Sequence, residues 1–324
     1  MSTATSPKDI RLKTKESIVK FATYSEASGV TRAAVLEDEL LYPVDGTTSV
    51  LDIIGDGLEG LLATGDRARA ESTPVPAGSV RLEAPLDPPS LRDSMCFHEH
   101  IVNCMGTVDP LHLQFPAFYL SNSAAVHGPS DSVAISPGCE MFDYEMEVAA
   151  VIGTPGSSIK PEDAREHIVG YTMYIDWSAR DLQLEEMELK LGPAKGKDGA
   201  TTLGPVLVSA DEFEPLRKGK GFDITMAVAI DGQPISTGNW STINWSFDDV
   251  VAYTSRGTRL KTGDVLGSGT VGKGCLVEQR ALDPDGFRGW LREGEVVTFE
   301  VDLIGRMDVA ITGSEPFHRL SSGH

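Results

Sequence analysis

From about residue 10 to residue 82, apolar and polar positions alternate in short stretches, as in residues 18–22 and 33–42, separated by turn-forming residues. A period of two predicts strands. Residues 49–63 break the pattern: Val50, Leu51, Ile54, Leu58 and Leu61 recur at near-helical spacing, which predicts one short amphipathic helix. Pro74, Pro76, Pro85, Pro88 and Pro89 then crowd the approach to Ser90 and read as a stiff connector. Beyond it, short β segments dominate, at residues 145–152, 170–175, 225–230, 265–269 and 295–303, with helices expected at 161–167, 180–191 and 247–255. Strands without regularly alternating helices argue against a doubly wound sheet. The expectation is an α+β chain, mainly β, with residues 1–85 as a small strand-rich N-terminal accessory domain and residues 86–324 as a larger domain edged by short helices.

Composition narrows the partners. At 324 residues and 40% hydrophobic content the chain can bury a sizeable core. A formal charge of −20 repels phosphate backbones and anionic bilayers, so neither a nucleic acid nor a membrane is expected as partner. The first 21 residues hold no apolar signal core and no run approaches the ~18 apolar residues of a spanning helix, so a cytoplasmic protein is expected. Cys96, Cys104, Cys139 and Cys275 show no C-x-x-C spacing and are too sparse for a disulfide scaffold or a zinc knuckle.

Chemistry concentrates in a few segments. On a strand, Asp143, Glu145 and Glu147 share one face. A solvated edge strand tolerates such a row, but the apolar run 148–152 follows at once and predicts burial. Buried carboxylates need a counter-charge, and an all-oxygen donor set suits Mg²⁺, Mn²⁺ or Ca²⁺. Asp176 ends an apolar segment and reads either as a helix N-cap or as a further site carboxylate, with Arg180 and Gln183 following on one helical face. His98 and His100, beside Glu99, suggest zinc, yet no third or fourth ligand stands at a recognisable spacing. Gly267, Gly269 and Gly272 satisfy G-x-G-x-x-G, but residues 275–278 read as extended rather than helical, which argues against a dinucleotide site.

Together these segments resemble the fumarylacetoacetate hydrolase superfamily, from about Ser90 to Phe317. The block from Gly170 to Gln183 matches the family pattern G-Y-x-x-x-x-D-x-S-x-R-D-x-Q residue by residue, and residues 143–147 resemble its ligand strand. The resemblance implies a mixed β-roll catalytic domain and a divalent cation, Mg²⁺ foremost, held by Asp93, Glu145, Glu147 and Asp176. It implies catalytic roles for His100, Glu278 and Lys197, and substrate contacts from Arg180, Gln183 and Thr270. Tyr119 is a further candidate to line the pocket, with packing as its alternative. Asp93 stands seven residues before His100, the hydrolase-branch spacing, while His98 with Glu99 is an alternative working pair. The implied activity is hydrolysis of a C–C bond in a small 1,3-dicarbonyl acid, such as an acylpyruvate or a fumarylacetoacetate-like compound of aromatic catabolism, by a homodimer. Oxaloacetate decarboxylation or tautomerisation and 2-oxo-hept-ene-dioate-type isomerisation are alternatives on the same scaffold. Outside enzymology, the acidic cluster is compatible with a Ca²⁺-binding structural module.

Overall fold

A computed structural model describes residues 18–322, so the start of the expected N-terminal strand pattern, residues 10–17, lies outside them. The elements that position the site are, in chain order, strands β1 (Lys20–Ser25), β2 (Thr31–Glu37), β3 (Leu40–Pro43), β4 (Leu91–Ser94), β5 (Phe118–Ser121), β6 (Phe142–Ile152), β7 (Ile168–Ala179), β8 (Thr201–Ser209), β9 (Thr225–Ile230), β10 (Gln233–Asn239), β11 (Val265–Gly267), β12 (Val296–Val301) and β13 (Gly305–Thr312). The helices are α1 (Gly57–Glu71), α2 (His98–Met105), α3 (Arg180–Glu188), α4 (Phe247–Thr254) and α5 (Leu276–Leu282).

A 12-stranded sheet runs β3-β2-β1-β8-β7-β6-β11-β4-β5 along its main path, with a further short strand, Val75–Pro76, outside β3. A 5-stranded sheet contains β10-β9-β12-β13. The N-terminal strands are hydrogen-bonded into the larger sheet, because β1 pairs antiparallel with β8 (Phe21 opposite Leu207). The fold is the expected mixture of mainly strands with short helices at the edges.

Alternation along β6 explains how the core and the site share one strand. Tyr144, Met146, Val148 and Ala150 face the apolar core between the two sheets, where the Tyr144 and Trp177 rings meet Phe299 edge-on at 5.3 and 5.8 Å. The opposite face divides. Ala149 and Val151 join a second apolar cluster with Phe21, Val35, Leu61 and Leu203, while Asp143, Glu145 and Glu147 stay clear of it. Every residue of β6 is buried, so the solvated edge-strand reading of the acidic row fails.

Three sequence-based boundaries shift. The helix expected at 49–63 is split: a single turn at Val50–Asp52, closed by a Ser49/Asp52 capping box, precedes α1, which starts only at Gly57 (φ +70°) and runs on to Glu71. Strand β7 continues past residue 175 to Ala179, so Asp176 lies within the strand and Ala179 takes the N-cap position of α3. Residues 276–278 are helical, not extended, and open α5.

Candidate active site

The carboxylates converge because three strands of one sheet, β7, β6 and β4, carry them. Antiparallel register sets Glu145 opposite Asp176 on β6 and β7, and β11 threads between β6 and β4, placing Gly267 beside Asp93. A β-carbon at Gly267 would stand 2.8 Å from Asp93 Oδ1 and 3.0 Å from Glu147 Oε2. Only glycine leaves room for those two side chains. Gly269, at φ +78°, turns the chain away and donates its N–H to Glu147 Oε2 at 2.8 Å.

Oxygens from Asp93, Glu145 and Glu147 lie within 4.8 Å of one another. Lys197 Nζ bridges Glu145 Oε2 (2.6 Å), Asp176 Oδ2 (2.7 Å) and Ser178 Oγ (2.7 Å). Arg180 pairs with Glu145 Oε1 (2.8 Å) and Asp143 Oδ2 (2.9 Å), and donates to Gln183 Oε1 at 3.1 Å. The Tyr119 hydroxyl donates to Asp93 Oδ2 at 2.6 Å and also touches the Asp176 carboxyl. Asp93, Asp143, Glu145, Glu147 and Asp176 are all buried against two buried cations, Lys197 and Arg180, so three negative charges lack a partner.

The proton affinities follow from this imbalance. Burial, with Asp93 and Glu145 as charged neighbours, pushes the Glu147 carboxyl well above its usual range. Burial likewise raises Asp93, and it raises Asp176 to about 7 against the pull of Lys197. Glu145 behaves oppositely: burial favours its neutral form, but Lys197 and Arg180 outweigh that and hold it ionised. Asp93 Oδ1, Glu147 Oε1 and Asp176 Oδ1 are buried without a hydrogen-bond partner. Unpaired carboxylate oxygens around surplus negative charge fit a hard divalent cation with oxygen ligands.

A second group faces this floor. His100 on α2 and Glu278 on α5 meet with Nδ1 2.7 Å from Oε1. Glu278 is fully buried, and its other oxygen accepts from Asn103 Nδ2 (2.6 Å) and the Lys273 backbone N–H (2.8 Å). Burial opposes a charged His100 imidazole, yet contacts with Cys275 and Glu278 overcome it and raise the group to about 10. The glycine turn after β11 keeps hydrogen-bonding to β6, with Val271 N–H to Met146 O at 3.1 Å and Met146 N–H to Gly274 O at 3.0 Å, and so delivers α5 to the end of that strand. There Asp143 accepts from the N–H groups of Leu276 (2.8 Å) and Val277 (3.0 Å). That cap satisfies orphan donors of the first turn and makes residues 276–278 helical.

A cavity of about 390 Å³ joins the two groups. His100, Tyr119, Glu145, Arg180, Gln183, Lys197, Asp93 and Thr270 all line it, whereas Glu147, Asp176 and Glu278 support it from behind. Neither His98 nor Glu99 lines this cavity, and Glu99 faces a separate pocket with Lys273 and Thr237. Four contributors escaped the sequence reading. Asp143 was seen only as part of the acidic row, and Ser178, Asn103 and Gly267 carry no local signal of their partners. Cysteine spacing likewise gives no sign that Cys104 and Cys275 each bring sulfur to 3.9 Å from His100 Nδ1.

A mainly β scaffold whose central strands drive carboxylates into a cavity walled by a His–Glu pair defines a class of enzyme, and comparison with known proteins gives the class its family. The chain belongs to the fumarylacetoacetate hydrolase family: the family's model, Fumarylacetoacetate (FAA) hydrolase C-terminal, matches residues 91–312. It is 31% identical over 238 residues to the oxaloacetate tautomerase YisK of Bacillus subtilis, spanning 70% of this chain and 72% of that one. With the fumarylacetoacetase of Arabidopsis thaliana it shares 32% identity over 218 residues, 55% of this chain and 49% of the relative. Among solved structures, the fumarylacetoacetate hydrolase of Exiguobacterium antarcticum superposes with a TM-score of 0.73 at 26% identity, covering 91% of this chain and 99% of that one. The maleylpyruvate hydrolase of Sphingobium sp. SYK-6, solved with manganese(II) and pyruvate, shares the fold at a TM-score of 0.69 and 19% identity, covering 91% of this chain and 100% of that one. The protein is thus an enzyme of the fumarylacetoacetate hydrolase family. Among the described residues no helix is long and apolar enough to cross a membrane.

Proposed function

We propose that this enzyme hydrolyses a C–C bond in a small 1,3-dicarbonyl acid, and that it prefers an acylpyruvate with an apolar acyl group. The carrying observation is His100 on the wall of a cavity floored by carboxylates, with Glu278 behind it at 2.7 Å. A divalent cation held by Asp93, Glu145, Glu147 and Asp176 would supply Lewis acidity toward the dicarbonyl oxygens. A cation on the carboxylate floor would oppose the imidazolium of the metal-free site, and the neutral His100 takes a proton from water through the ring nitrogen that Glu278 leaves unengaged, the Glu278 carboxylate stabilising the resulting imidazolium. The hydroxide adds to the distal carbonyl. Lys197 and Gln183 donate to the tetrahedral oxyanion, and Arg180 binds the substrate carboxylate. Collapse breaks the C–C bond, releasing a carboxylic acid and an enolate that is reprotonated to a pyruvate-type acid. The acyl preference rests on the outer wall, where Phe97, Ile101, Met105, Met141, Leu184 and Met187 offer apolar surface.

The second reading is tautomerisation of oxaloacetate, favoured by the 31% identity to an enzyme of that name. It needs a cation and a proton shuttle but no attacking water. Acylpyruvates and oxaloacetate would be compared with EDTA and after restoring Mg²⁺ or Mn²⁺, following both C–C cleavage products and enol–keto conversion. Metal-dependent cleavage with apolar acylpyruvates preferred is expected. Rapid oxaloacetate tautomerisation without cleavage of any dioxo acid would replace the first reading with the second.

A further inference from the structure

The His100–Glu278 pair has neighbours that hydrolysis does not require. His100 and Cys104 lie four residues apart on α2 and so share one helical face. Cys275 takes the N-cap position of α5 and Glu278 lies in that helix's first turn. Cys104 Sγ and Cys275 Sγ are both 3.9 Å from His100 Nδ1, Cys275 Sγ is 3.4 Å from Glu278 Oε1, and that oxygen is 2.7 Å from Nδ1. In a tetrahedral zinc site, with Zn–S about 2.3 Å and Zn–N or Zn–O about 2.0–2.2 Å, neighbouring donors stand roughly 3.3–3.8 Å apart. His100, Cys275 and Glu278 bring donor atoms within 4.8 Å of one another, and Cys104 stands beside them on the His100 side, where a rotation of its exposed side chain would supply the fourth donor.

We propose that His100, Cys104, Cys275 and Glu278 form a second metal site, for a thiophilic divalent cation with zinc foremost, separate from the all-oxygen carboxylate cluster. Donor chemistry separates the two ions, since thiolate and imidazole select zinc while carboxylates alone suit magnesium. The remaining requirements are also met. Asn103 and the Lys273 N–H hold the second oxygen of Glu278, which fixes the first toward His100 and Cys275. Cys104 is exposed and lines the catalytic cavity, giving the ion a path to the buried Cys275. The ion replaces the protons of both thiols and of Nδ1, all released to solvent.

Occupancy has a functional consequence, which rests on the hydrolytic reading of His100 although the site itself does not. A neutral imidazole bound through Nδ1 carries its proton on Nε2. His100 then cannot take a proton from water, so zinc acts as an inhibitor while the carboxylate cluster keeps its own cation.

The test begins with enzyme saturated in Mg²⁺ and titrated with Co²⁺, followed by the near-ultraviolet thiolate-to-cobalt absorption band. The band should appear at one equivalent, be bleached by Zn²⁺, and be lost in Cys104→Ala and in Cys275→Ser. In turnover assays with excess Mg²⁺, Zn²⁺ should inhibit the parent, and Cys104→Ala should raise the inhibitory concentration by at least ~10-fold while retaining Mg²⁺-dependent activity, since loss of even an outer-shell partner costs 10–100-fold in affinity. No thiolate band in the Mg²⁺-loaded parent, or a band undiminished in both variants, overturns the site. A cysteine-dependent band without inhibition keeps the site and overturns the role of His100 as the base.

Discussion

Glu145, Glu147 and Asp176 come from two neighbouring strands whose register alone sets their spacing, whereas His100 and Glu278 lie 178 residues apart and meet because two short helices dock. The strand-borne floor gains rigidity from two fully buried strands, β6 and β7, and carries unbalanced charge that a cation relieves. The helix-borne wall is charge-matched, and its placement depends on caps and turns. Removing a wall residue should therefore stop chemistry and spare metal binding, and removing a floor residue should do the reverse first. His100→Ala is expected to lower kcat by about 10²–10⁴, the usual worth of a general base, with Mn²⁺ affinity by calorimetry unchanged. Glu147→Gln should instead weaken Mn²⁺ binding. Turnover surviving in His100→Ala would break the division.

Asp143 joins the two halves, because the same carboxylate pairs with Arg180 of the floor and caps α5 of the wall. Replacement by Asn keeps the shape but removes the charge from a fully buried ion pair, at an expected cost of about 3–5 kcal/mol. Urea unfolding of the variant measures it. A loss below about 1 kcal/mol would mean that Arg180 is satisfied by Glu145 alone and that α5 does not depend on its cap.

Acidity sharpens the contrast further. In metal-free protein Asp93, Glu147 and Asp176 hold their protons more tightly folded than unfolded. A carboxyl raised in this way contributes stability that is full below its unfolded value, about 4, and is lost as pH climbs through its folded value, about 7 for Asp176. EDTA-treated enzyme should therefore lose thermal stability between about pH 5 and pH 8, and saturating Mn²⁺ should flatten that slope as the cation displaces the protons. A melting temperature that rises with pH over this window in EDTA would contradict the proposed crowding of the floor.

Legibility in the sequence followed the same division. Period-two spacing exposed Asp143, Glu145 and Glu147, and the apolar run after them announced burial, because a strand writes its facing into every second residue. Asp176 was ambiguous from spacing and only the family pattern ranked it with the floor. Nothing local announced the wall. The cap that makes 276–278 helical is Asp143, more than a hundred residues away, so a reading by neighbours saw an extended segment. That no further zinc-type ligand stands at a recognisable spacing from His98 and His100 has a related cause: Cys275 arrives at His100 from the far end of the chain. Gly267 was legible as part of a glycine-rich turn, but its use as space for two carboxylates required the strand order.

Between floor and wall stands Lys197, and its loop offers the finest cut. Glu186 on α3 accepts from the backbone N–H groups of Ala194 (2.6 Å), Lys195 (2.6 Å) and Gly196 (3.2 Å), gathering the turn that points Lys197 inward. Lys197 is also held by its own bonds to Glu145, Asp176 and Ser178, so the loop anchor and the ion pairs compete as the cause of its position. Glu186→Ala removes the anchor at a partly exposed position. If the anchor sets the oxyanion donor, the loss is about 1 kcal/mol of transition-state stabilisation, or roughly 5-fold in kcat, with little change in KM or melting temperature. An unchanged kcat would assign the placement of Lys197 to the carboxylates alone, making the lysine part of the floor rather than a hinge between the two halves.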